Sequence, residues 1–227
     1  MSMQNFPKIY IGEHSNDGMI DIIDVLPLPN NTVFGNLLLK YINIMDRLSY
    51  VNQKIDSTIL QYIALKTQGI PRPIAYLFVI EEIVFLLRRV SDELISLLWL
   101  LDNWVQNNKC AQKLEIDCIG GVLAEKNKNF LEKYLSRSLK FLKNLNDISN
   151  AHKHSFIHSD IYNITGDDEP VINALELPRN DLRNIDTHNV GKRWHSIYLR
   201  DIVNGFNNFF EDIRINLVSL NNQIKQA

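Results

Sequence analysis

The sequence predicts a mainly α-helical protein, a four-helix bundle with a short β-hairpin inserted before the last helix. Three observations carry this expectation. Apolar residues recur at steps of three and four through four long windows. Proline, glycine and asparagine clusters separate several of those windows. Between the third and fourth windows the spacing changes to the shorter period of extended chain.

Residues 1–30 read as an irregular or short-strand segment, and 31–227 as the helical domain. Ile9, Tyr10 and Ile11 are one candidate strand, and Ile20, Ile22 and Ile23 another. Pro27, Pro29 and the Asn30–Asn31 pair then punctuate the chain, with Asn31 or Thr32 as the expected helix cap. The first helix is expected over 33–67. Leu37, Tyr41, Ile44, Leu48, Val51, Ile55, Ile59, Tyr62 and Ile63 form its apolar stripe, and Gly69, Pro71 and Pro73 stop it. The second is expected over about 73–107. It is apolar nearly all round, which places it at the bundle centre. Its internal charges must therefore pair: Arg88 with Asp92, Arg89 with Glu93, and at least one pair with a partner on another helix.

A connection over 108–123 contains the Gly120–Gly121 joint. The third helix is expected over roughly 124–155, with Leu131, Leu135, Leu142 and Leu145 inside and many lysines outside. Its basic side reads as a solvated face or as one that contacts phosphate. The hairpin is expected near 156–176: Phe156, His158, Ile161 and Tyr162 look extended, 165–168 form a turn, and 171–175 return extended. The last helix is expected over 195–222.

Composition narrows the function classes. The 227 residues are 45% hydrophobic, ordinary for a soluble globular protein, and 24 basic residues stand against 26 acidic ones, a formal charge of -2. No extended basic nucleic-acid face is required by that balance, although a local patch fits it. Cys110 and Cys118 are too far apart for a CxxC redox or zinc motif. The run Ile83–Leu101 is interrupted by Arg88, Arg89, Asp92 and Glu93, against a membrane span. The N-terminus lacks the pattern of a signal peptide, so a cytoplasmic protein is expected. Walker, GxSxG, GxGxxG and HExxH patterns are absent from the sequence, and neither a cofactor nor a metal is expected.

The one distinctive polar stretch is 141–158, FLKNLNDISNAHKHSFIH. With Lys143 as the origin on a helical wheel, Asp147, Asn150 and His154 fall at about 40°, −20° and 20°, a single polar stripe. His152 falls at about 180°, on the core side, with Ser149 also inward and Lys153 on the flank at about −80°. His152 reads as a core histidine bonded to backbone or to an acid, or as a catalytic or phosphate-binding group. His154 reads as a surface or helix-end histidine facing the negative end of the helix dipole, or as that same functional group.

Four long helices with an N-x3-H cluster near the end of one of them resemble the HEPN superfamily, over about 33–222. HEPN domains are helical, often dimeric, and common in prokaryotic toxins and antiphage systems; many are metal-independent ribonucleases. Their motif has an Arg, a polar residue, three residues and a His. In Ser149-Asn150-Ala151-His152-Lys153-His154, Asn150 takes the polar place and His154 the His place. Ser149 stands where the Arg belongs, which removes the usual phosphate stabilisation from its place.

The resemblance implies two functions. The first is a non-catalytic binding or scaffold protein, a degenerate HEPN-like domain that binds nucleic acid, a nucleotide or a partner protein. The second is a metal-independent endoribonuclease. His154 would be its acid or base, with Asn150 and Lys153 beside it, while His152 and Arg88 or Arg89 support the phosphate. A second copy of the chain, RNA or a partner protein are the candidate partners, and a membrane is not.

Overall fold

In the computed structural model, residues 6–14, 21–23, 25–68, 74–154, 169–175 and 194–226 are described. Two long helices form the centre. α1 is Leu37–Gln68 and α2 is Ile74–Asn107. Every residue of the predicted α1 stripe from Leu37 to Ile59 is buried. On α2, Ile83, Val84, Leu87, Val90, Leu94, Leu97, Leu98 and Leu101 are all buried, with Ile95, Trp99 and Leu100 beside them. This breadth follows from its neighbours: α2 packs on α1 and on three later helices. Its charges pair across to α1, where Arg47 bonds Glu93 and Lys54 meets Glu82 at 2.8 Å. These pairs also show that the two helices run antiparallel.

The start of α1 differs from expectation. Asn36 is the cap, its Oδ1 accepting from the Leu39 amide at 3.0 Å. Thr32 instead closes a turn: its Oγ1 donates to the Gly35 carbonyl at 2.7 Å, and Gly35 has φ +86°. That left-handed backbone is costly for a residue with a Cβ. Upstream, Gly12–His14 (β1) and Asp21–Ile23 (β2) pair antiparallel. Ile9 and Ile11 are not in a strand but are buried in the common core, together with Phe6, Leu26 and Leu28. Asn52 on α1 holds this segment by bonding both the amide (2.8 Å) and the carbonyl (2.9 Å) of Ile9.

The expected third helix is divided. A 3-10 turn over Glu125–Asn127 leads into α4 (Lys128–Tyr134), and another over Ser136–Ser138 leads into α5 (Leu139–His154). Leu135 breaks the helix at φ −130°, ψ 13°, and is itself fully buried. Leu142 and Leu145 of α5 are buried and Leu131 of α4 packs partly buried against the same core, so the apolar spacing runs on through the break and conceals it. The short α3 (Ile119–Val122) lies within the expected connection.

The β-hairpin precedes the final helix, with a changed partner. Strand β3, Val171–Leu175, pairs antiparallel with β4, Trp194–Tyr198, in the register Val171↔Tyr198 to Leu175↔Trp194. The first strand expected at 156–164 and the 165–168 turn lie outside the described residues. Residues 195–198 are therefore strand, not helix. Aromatic and β-branched residues dominate WHSIY, which suits a strand, and Ile197 meets Ile172 across the pair. α6, Leu199–Gln226, follows β4 with no residue between, and the Leu199 amide bonds the Pro170 carbonyl at 2.9 Å. Phe206, Phe209 and Phe210 of α6 form an aromatic cluster with Phe141 of α5. Gly205 lets the two helices close up, because a Cβ there would lie 2.8 Å from Phe141 Cδ2.

Candidate functional site: the junction of α2, α3 and α5

Arg88 leaves α2 toward the last turns of α5. Its Nε donates to both oxygens of Asp92 at 3.1 Å, one helical turn on. Nη1 crosses to α5, donating to Asn146 Oδ1 at 2.7 Å and to Ser149 Oγ at 3.3 Å. Ser149 in turn donates to the Asn146 carbonyl at 3.0 Å. The Arg88 side chain is only 12% exposed and that of Asp92 26%.

Asp92 ties in a third element. Its Oδ1 accepts from the Ile119 amide at 2.7 Å, the first residue of α3. Cys118 Sγ accepts from the Gly121 amide at 3.3 Å, so side chains meet two donors at that helix start. Burial pushes the Asp92 carboxyl above the ordinary range, outweighing the opposite pull of the Ile119 amide, Arg88 and, by charge alone, Lys153. Lys153 is thus near enough to act on this carboxylate electrostatically while its own side chain stays exposed.

The other candidate residues divide as the helical wheel implies. Asn150 is exposed, and His152 is buried at 7% exposure. His152 Nε2 lies 3.2 Å from the Asn173 carbonyl of β3, and its ring stands edge-on to Phe85 of α2 at 6.3 Å between centroids. It joins α5 to the hairpin and to α2. His154 is the last residue of α5, and its side chain lies outside the described residues. Arg89 turns the other way. It is 66% exposed, pairs with Glu93 at 3.2 Å, and faces α1. Of the two candidate arginines, Arg88 therefore reaches the polar stretch and Arg89 does not.

Sequence reasoning found Arg88, Asp92 and the buried His152. It did not single out Asn146 or the Ile119 amide. The signal for Asn146 was its position one helical turn before Ser149 and Asn150 on the same helix. Nothing local marks an amide as the partner of an aspartate 27 residues away.

Chemically the junction is a charge-assisted clamp. One guanidinium and one carboxylate satisfy each other and reach out to neutral groups on α3 and α5. Among the described residues, no group of three or more His, Cys, Asp or Glu side chains is placed to hold a metal ion. Also among them, no helix is long and apolar enough to cross a membrane. Comparisons with protein-family models, curated proteins and solved structures found no match.

Proposed function

We propose that this chain is a non-catalytic helical binding or scaffold protein, a degenerate HEPN-like domain whose motif region has become a structural joint. One observation carries the reading: Arg88, the cation that reaches the motif stretch, is committed to Asp92, Asn146 and Ser149 at 12% exposure. A guanidinium neutralised by a carboxylate stabilises little new negative charge on a scissile phosphate. His152 is likewise occupied with Asn173 and Phe85. What α5 leaves for a partner is the exposed row of Lys143, Asn150 and Lys153. These groups suit binding an acidic surface or a phosphate backbone without turnover.

The test is an RNA-cleavage assay on single-stranded and structured RNA with EDTA present, beside the His154→Ala variant. The reading expects both proteins to sit at background, and Lys143→Glu with Lys153→Glu to weaken RNA or partner binding while folding is retained. Cleavage by wild type that is lost in His154→Ala would replace this reading with the enzyme.

The ribonuclease reading has one observation in its favour. Arg88 Nη1 stands 3.3 Å from Ser149 Oγ, so a guanidinium from α2 lies beside the place where the HEPN motif carries its own Arg. In that reading Arg88 supplies the phosphate cation, Asn150 positions the phosphate and His154 moves the proton. It requires Arg88→Lys to lose most of the turnover, because the forked donor geometry is not replaced by an ammonium.

A further inference from the structure

On the other side of α2 lies a cleft of about 430 Å³ between α1 and α2. We infer that it is a binding site for a small anionic amphiphile, a carboxylate or phosphate head on an apolar chain. The inference is independent of how the α5 junction is read.

The lining is sorted along its length. Because the helices are antiparallel, residues 34–37, where α1 begins, lie opposite the neighbourhood of Leu100 on α2, and Arg47 lies opposite Glu93. One end is therefore apolar: Phe34, Leu37, Leu97, Leu100 and Leu114. The other end holds Arg47, Arg89 and Glu93, and Lys40 and Asn43 line the cleft between Leu37 and Arg47 on α1. Leu37 and Arg47 stand ten residues apart on one helix, about 15 Å along its axis. A medium-length alkyl chain with a terminal anion spans that distance. The volume falls in the range of small-molecule sites.

Charge decides the sign of the head group. Three cations line the cleft against a single carboxylate. Glu93 is shared by Arg47 and Arg89, so one carboxylate offsets two guanidinium groups. Arg89 spends only Nε on it, which leaves its outer nitrogens uncommitted among the described residues. The Lys40 side chain is exposed and makes no hydrogen bond or ion pair among the described residues. Arg89 thus offers donors to an arriving anion beside the Arg47–Glu93 pair, while Lys40, about 10 Å nearer the apolar end on α1, adds to the positive field along the cleft. A cationic head would meet the excess positive charge instead.

Isothermal titration calorimetry on the full chain tests this with decanoate, decyl phosphate and decyltrimethylammonium, each below its micelle concentration. Saturable one-to-one binding of decanoate or decyl phosphate is expected, and the tighter of the two identifies the head group. Butanoate, which keeps the head and loses most of the chain, should bind at least about tenfold more weakly. The Lys40→Ala/Arg89→Ala double variant removes two exposed cations, and should weaken the anion by about tenfold or more. Its unchanged thermal midpoint would confirm that the fold is intact. Equal binding of the ammonium amphiphile, equal affinity in the double variant, or no saturable binding by either anion would each overturn the inference.

Discussion

Arg88 on α2 donates to Asn146 on α5 across 2.7 Å, and the same guanidinium holds Asp92 on its own helix. Through Asp92 the contact extends to the first amide of α3. Three helices thus meet at one partly buried ion pair. Replacing Arg88 by Met keeps the aliphatic stem but strands the carboxylate. The expected loss is about 2–3 kcal/mol, read from the urea midpoint at unchanged slope. Asp92→Asn should cost less, because an amide oxygen still accepts from Ile119.

The same carboxyl predicts an acid-side pH dependence. Burial raises the Asp92 pKa in the folded state above its unfolded value, so the folded chain holds that proton more tightly. Its contribution is most favourable below the unfolded pKa and declines as the pH rises through the folded one. Stability measured against Asp92→Asn should therefore fall with rising pH across the weakly acidic range. A difference that grows with pH there would contradict the assignment.

A second buried polar centre gives an alkaline counterpart. Asp102 accepts from Tyr134, from Lys133 at 2.9 Å and from Gln106 at 2.7 Å. Burial, then the bond to Asp102, pushes the Tyr134 phenol from 10.0 up to about 12. The stability this provides is complete below pH 10 and is lost as the pH climbs toward 12. Tyr134→Phe should cost about 1–2 kcal/mol at neutral pH. Its unfolding midpoint should then drop less than that of wild type above pH 10, where the phenol of the unfolded wild-type chain begins to ionise while the folded one stays protonated.

His152→Ala should loosen the hairpin before it weakens the bundle. The variant loses the Nε2 contact to the Asn173 carbonyl and the ring contact to Phe85, for about 1–3 kcal/mol in total. Amide exchange in Val171–Leu175 should accelerate more than exchange in α2.

Gly205→Ala sets two effects against each other. Helix propensity favours alanine by about 1 kcal/mol. The new methyl, however, would lie 2.8 Å from Phe141 Cδ2 and 3.2 Å from its Cβ, and overpacking of this kind costs about 1–3 kcal/mol. A net loss is expected, and Phe141→Leu in the same chain should recover part of it. A more stable single variant would show that α5 and α6 can part at little cost.

The long stripes of α1, α2 and α6 were legible because each is a single period over many turns, and nearly every residue they select is buried. The break at Leu135 was not legible, since Leu131, Leu135, Leu142 and Leu145 keep helical spacing through it. Residues 195–198 were misread because Ile197 fits the stripe of the helix that follows just as well as it fits a strand. At the candidate site, the wheel separated His152 from Asn150 correctly. It could not supply the partners of Arg88. Those are set by how α2 crosses α5, a tertiary relation no local pattern encodes.

Strand β4 runs directly into α6 with no linking residue, while β3 is fastened to α5 by His152. The hairpin therefore sets the rotational phase of the last helix. Slipping the β3–β4 register by one residue would exchange the two faces of β4 and index α6 by about 100° about its axis. Phe206 and Phe210 would then turn out of the aromatic cluster. Ten paired strand residues thus act as the keyway for a helix of 28 residues.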